Sequence, residues 1–145
     1  MLLLNEIANA WGWKNVRPRA VIMQNAFGNV IFIAEDGKYW RICPEELSCE
    51  VVAGDEEAFA ELQCRNDFAE DWAMQRLVDL ARSALGQPTA ERCYCLKIPA
   101  TLGGVYTPEN FGTISRTELV SSSGYIAKQI EGLPDGSRIK LKITD

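Results

Sequence analysis

Five thiols are the first candidates for chemistry in this chain: Cys43, Cys49, Cys64, Cys93 and Cys95. A structural zinc site needs four soft ligands converging on a tetrahedron, commonly as two short pairs separated by two to four residues. Only Cys93 and Cys95 lie close together, and the single residue between them on a strand sends both side chains to one face without a matching second pair. Thiolate catalysis requires a base, normally His, and the sequence contains no His at all. The thiols therefore read as core residues of a protein in a reducing compartment. Ser121-Ser122-Ser123 also lacks a base and a strained strand-to-helix elbow, and reads as a loop or a helix start. Gly103-Gly104 lacks the strand and helix that frame a phosphate cradle, so it reads as a turn. Carboxylates are abundant, but a catalytic pair must be buried and convergent, whereas these fall on outer helix faces. Neither a metal nor a cofactor is expected.

The elements that would position these groups follow from periodicity. Leu3, Leu4, Ile7, Ala8 and Trp11 have helical spacing, ending at Gly12. Residues 16–24 form an edge strand or a loop entering one, because Pro18 interrupts a ladder. Residues 29–34 and 38–43 flank Glu35-Asp36-Gly37, whose Asp-Gly pair suits a hairpin. After a turn at Pro44-Glu45-Glu46, residues 48–53 offer a third strand, giving an antiparallel meander from about 28 to 53. Tyr39 and Trp40 are neighbours on a strand, so one ring points in and one out, and an exposed aromatic there could anchor a partner.

Asp55 can cap a helix with Glu56 and Glu57 in its first turn and Ala58, Phe59 and Leu62 on its apolar side. A second helix is predicted from a cap at Asn66 to Leu85, with Phe68, Trp72, Leu77, Leu80, Ala81 and Ala84 inward. Residues 93–98 read as a strand closed by Pro99, 113–118 as another, and 121–131 as a helix. A turn at Leu133-Pro134-Asp135-Gly136 then leads into a half-exposed strand over 138–143.

At 145 residues, 47% hydrophobic and 24% charged, the chain has the proportions of one soluble domain spanning 1–145. Fifteen Lys and Arg against 20 Asp and Glu, net −5, leave no broad basic field for phosphates, so nucleic acid is not an expected partner. Leu2-Leu3-Leu4 runs directly into Asn5 and Glu6, without the n-region or apolar stretch of a signal peptide or membrane span, so a cytoplasmic protein is expected. Charge is unevenly placed: residues 55–79 hold eight acids against Arg65 and Arg76, and the remainder is near balance. Such a run is either a solvated pair of helices or a face that steers toward a basic protein.

Several segments together carry a resemblance. Gly37-Lys38-Tyr39-Trp40-Arg41-Ile42-Cys43-Pro44-Glu45-Glu46-Leu47, Trp72, Cys93-Tyr94-Cys95-Leu96-Lys97-Ile98-Pro99, Leu102-Gly103-Gly104-Val105-Tyr106 and Asn110 resemble the C-terminal domain family of type VI secretion immunity proteins. Gln129-Ile130 and Leu133-Pro134-Asp135-Gly136 are similar as well, so the resemblance spans about 27 to 143. It implies a small α+β protein, without catalysis, that binds a cognate toxin in the cytoplasm, the toxin being a nuclease. No catalytic motif comes with it.

The reading is thus an α+β domain, an antiparallel sheet with helices packed on one face, acting as a toxin inhibitor through a protein interface. Its expected partner surface joins the acids Glu56, Glu57, Glu61, Asp67, Glu70 and Asp71 to the loop residues Gly103, Gly104 and Tyr106. The alternative is a non-catalytic small-ligand or regulatory module with a pocket near Gly103-Gly104. A carboxylate enzyme is a third reading.

Overall fold

The computed structural model describes residues 2–133, so the expected turn at 133–136, beyond its first residue, and the strand over 138–143 lie outside the described residues. The chain opens with α1, Leu2–Trp11, which buries Leu3, Ile7 and Trp11 at intervals of four residues. Four antiparallel strands follow in sequence order across one sheet: β1 Pro18–Gln24, β2 Val30–Ala34, β3 Tyr39–Cys43 and β4 Ser48–Ala53. Pro18 sits at the first position of the edge strand, where its missing N–H costs no ladder bond. The meander accordingly begins at β1, ten residues earlier than the expected start at 28.

The α+β class stands, but helices cover both faces of this sheet and not one. Val30, Phe32, Ile42 and Cys49 face α1 and α5 (Arg116–Ile130) in one core. Ile31, Tyr39 and Ala53 face the opposite way, onto α2 (Glu56–Gln63) and α3 (Asn66–Ala73) in another. The continuous apolar run of β2 follows from this, since a strand covered on both sides has no solvent face to keep polar. It also revises the expectation for Tyr39 and Trp40. Tyr39 stacks on Phe59 with ring centroids 4.3 Å apart, and Trp40 packs against the α1/α5 core, so neither ring is left free.

Asp55 caps α2 as expected, its Oδ1 accepting from the Ala58 N–H at 2.8 Å. The predicted helix over 66–85 is two helices. α3 ends at Ala73, Met74 adopts a left-handed conformation with φ 46°, and α4 runs Gln75–Leu85. The cap of α3 is Arg65, with Asn66 already inside the helix. Ala84 is exposed, and Val78 takes the inward position beside Ala81.

A second, two-stranded sheet pairs β5 (Arg92–Leu96) with β6 (Phe111–Ser115). Phe27, Tyr94, Leu96 and Phe111 join Val78 and Ala81 in a third core beneath it. β6 ends at Ser115, not Glu118, and α5 starts five residues before the expected 121, because the Ser115 hydroxyl accepts from the Glu118 N–H at 3.1 Å. Ser121, Ser122 and Ser123 consequently lie inside α5. α5 crosses α1 so closely at Gly124 that a Cβ there would stand 2.4 Å from the Ala10 carbonyl oxygen. Cys49 and Cys93 are buried core thiols and Cys43 and Cys95 half-buried, but Cys64, at the end of α2, is exposed and not in the core. Among the described residues no helix is long and apolar enough to cross a membrane.

Candidate functional site

Arg41 leaves β3 on the face covered by α3, opposite Glu50 in the strand register. Its Nη1 donates to Asp71 Oδ2 at 2.6 Å, and its guanidinium carbon lies 5.1 Å from the ring centroid of Trp72. Both partners come from the last turn of α3. The remaining edge of the guanidinium donates to Asn29 Oδ1, from Nε at 3.0 Å and Nη2 at 2.9 Å. Asn29 Nδ2 then donates to both oxygens of Glu45, at 2.7 and 3.1 Å. Cys43 Sγ donates to Glu45 Oε2 at 2.9 Å.

The order of this chain has a physical logic. Arg is donor-only and an ionised Glu acceptor-only, so a buried contact between them needs acceptors for one and donors for the other. Asn supplies both at once: its carbonyl faces the cation and its amide N–H group faces the carboxylate. Asn29 is wholly buried and Glu45 only 4% exposed, so the bonds between these two replace lost water. Asn29 is itself fixed by the turn before β2, where Asn25 Oδ1 accepts from the N–H groups of Phe27 and Asn29.

The network floors a cleft of about 250 Å³ walled by Glu46, Glu50, Asp71, Met74 and Tyr106. Burial pushes the Glu45 carboxyl above the ordinary carboxylate range, against the pull of hydrogen bonds from Cys43 and Asn29 and the charge of Arg41. Burial, then the neighbouring Glu45, raises the Cys43 thiol, so it stays a protonated donor. The Tyr106 hydroxyl is pushed up to about 12, first by burial and then by Glu45, Cys43, Glu46 and Asp71, which marks the cleft as electronegative. On the other side of the 44–46 turn, Glu45 also borders an apolar cavity of about 310 Å³ lined by Phe27, Leu96, Leu119 and Ile126, with Lys97 and Ser122 also in its wall.

The structure brings only part of the expected surface together. Asp71 and Tyr106 share the cleft. Glu56, Glu57, Glu61, Asp67 and Glu70 are all exposed but line neither hollow, and Asp67 is engaged by Arg65 at 2.6 Å. Gly103, with φ 95°, ends a short turn at Ala100–Leu102, and a Cβ on Gly104 would lie 1.7 Å from the Ile98 carbonyl oxygen. These glycines shape the loop and line neither hollow. Sequence reasoning missed Asn29, Arg41 and Glu45. The available signal was Arg41 itself, a cation in the middle of a strand bounded by Trp40 and Ile42; Glu45 after Pro44 looked like any exposed turn acid.

Residues 53–124, from the end of β4 through the α5 crossing, match the family model described as T6SS immunity protein Tdi1, C-terminal. The match ties this stretch to a family of type VI secretion immunity proteins, the family that the sequence segments resemble. Among solved structures it is similar to the crystal structure of Atu4351 from Agrobacterium tumefaciens, at 18% identity and a TM-score of 0.56. That likeness covers 85% of this chain and 62% of the other, so the chain spans less than two thirds of the length of that protein, and it concerns the fold. No match was found among curated proteins.

Proposed function

We propose that this chain is a cytoplasmic immunity protein that binds and neutralises a cognate type VI effector, a nuclease, and does so without catalysis. The observation that carries the reading is the family match over 53–124, which contains both the acidic helices and the loop around Gly103-Gly104. The chemistry of the surface supports it. Glu56, Glu57, Glu61 and Glu70 are exposed and make no ion pair among the described residues, so their charge is available to a basic protein. A nuclease cleft that attracts phosphate is such a partner. Glu45 is the one buried acid among the described residues, and its oxygens are taken by Asn29 and Cys43, which supports a structural carboxylate over a catalytic one.

The test is to purify the chain with the effector encoded beside its gene and to measure binding by calorimetry and plasmid cleavage in parallel. One-to-one binding that abolishes cleavage supports the whole reading. Binding without any cleavage to abolish removes the nuclease while keeping the inhibitor. The 310 Å³ cavity favours a second reading, a small-ligand module, which takes over if the effector does not bind.

A further inference from the structure

The segment from Ile98 to Asn110 holds two large apolar side chains in water: Ile98 is 48% and Val105 56% exposed. Loops that display such residues are usually mobile, but this one is tied from within. Asn110, itself only 8% exposed, donates from Nδ2 to the carbonyl oxygens of Ile98 at 2.9 Å and Val105 at 3.0 Å, and its Oδ1 accepts from the Ile98 N–H at 2.9 Å. One buried amide thereby fixes the backbones of both exposed residues side by side. The near-contact of Gly104 with the Ile98 carbonyl closes the same loop from the other direction. Thr101 Oγ1 donates to the Glu46 carbonyl at 2.7 Å, fastening the loop to the turn that carries Glu45. Leu102 and Tyr106 pack inward against two different cores. The result is a stiff crest that exposes two apolar side chains.

Its surroundings select a partner. On the Tyr106 side lies the cleft walled by Glu46, Glu50 and Asp71, where Arg41 is already committed to Asn29 and Asp71, Lys14 reaches Glu50 at 3.3 Å, and Glu46 makes no ion pair among the described residues. On the Lys97 side lies the apolar cavity. An exposed apolar pair on a rigid support keeps its shape on binding and loses little conformational freedom, which is the condition for an interface anchor. We infer that Ile98 and Val105 are the apolar anchor of the effector interface, seating in an apolar pocket of the partner whose rim carries Arg or Lys facing Glu46, Glu50 and Asp71. This rests on the immunity reading and specifies its contact surface, moving the centre of the interface from the acids of α2 to the crest.

The experiment uses the full chain and the effector encoded beside its gene, followed by surface plasmon resonance. The double variant Ile98→Glu with Val105→Glu is compared with Ile98→Ala with Val105→Ala, each checked by circular dichroism and thermal melting. An anchor predicts affinity about 100-fold weaker for the Glu pair and about 10-fold weaker for the Ala pair, through faster dissociation, with melting as in the unaltered chain. Should the Glu pair fail to fold, the Ala pair decides. Variants that bind within about threefold of the unaltered chain overturn the anchor while leaving the inhibitor reading intact. If the unaltered chain does not bind, both fall.

Discussion

Burying a carboxylate is costly, and Glu45 shows how the cost is contained and what remains of it. Two donors from Asn29 and Cys43 satisfy its oxygens, and Arg41 stands one amide away, yet burial still holds its pKa above that of an ordinary Glu. Between the unfolded and folded values the native state keeps a proton that the unfolded chain has released. Stability from this group is therefore complete below the unfolded value, about 4.3, and is lost as pH rises through the raised folded value. Glu45→Gln keeps a carbonyl for Asn29 and removes the titration. Urea denaturation at a series of pH values from about 4 to about 8 is expected to show the unaltered protein losing stability relative to the variant as pH rises. A constant difference across that range would falsify the assignment. Gly104 is constrained by space instead of charge. A Cβ 1.7 Å from a backbone oxygen cannot be relieved by a side-chain rotation, so Gly104→Ala is expected to cost about 2–4 kcal/mol in the same assay.

Among the α-helices of the described residues, α3 is the most lightly held, because none of its residues is fully buried. Phe68 and Trp72 rest on the sheet, and Arg41 ties the last turn down through Asp71 and the face of Trp72. Asp71→Ala removes the ion pair; with that carboxylate 66% exposed, the expected loss is about 0.5–1.5 kcal/mol. The sharper readout is hydrogen exchange, which should quicken across α3 while the amides of β2 and β3 keep their protection. Equal acceleration in β2 would mean that the contact serves the whole fold. This same helix shows where the sequence became illegible. The hairpin of β2 and β3, the strand β4 and the Asp55 cap were readable because turn chemistry and capping are local. The break at Met74 has no Gly or Pro to announce it. It forms where Asn25, from the turn before β2, donates to the Trp72 carbonyl at 2.9 Å and to Met74 Sδ at 3.5 Å, a contact across 47 residues. The start of α5 was different, since Ser115 followed by Glu118 is a local capping signature that the alternation of 113–118 obscured. Likewise the unbroken apolar run of β2 already implied two covered faces. The Asn29–Arg41–Glu45 network was out of reach, because nothing in spacing says that three polar residues on separate turns and strands will converge.

For the molecule as a whole, charge asymmetry was legible and its geometry was not. The acids of 55–79 are on the surface as composition suggested, but the fold divides them: Asp71 enters the cleft beside Tyr106, while Glu57, Glu61 and Glu70 remain in open solvent away from both hollows. These two groups should act at different stages of association. Exposed charges outside a contact act over about a Debye length, ~10 Å at 0.1 M salt, and so accelerate encounter without adding to the docked complex. Replacing Glu57, Glu61 and Glu70 together with Lys takes a chain of net −5 across neutrality and leaves the Arg41–Asp71 contact intact. Stopped-flow association with the effector at low salt should then slow about tenfold or more, with the dissociation rate little changed. At about 1 M salt, where the Debye length falls to ~3 Å, the two association rates should converge. Convergence identifies long-range steering. A rate difference that persists at high salt, or a faster dissociation, would instead put α2 and the second turn of α3 inside the interface.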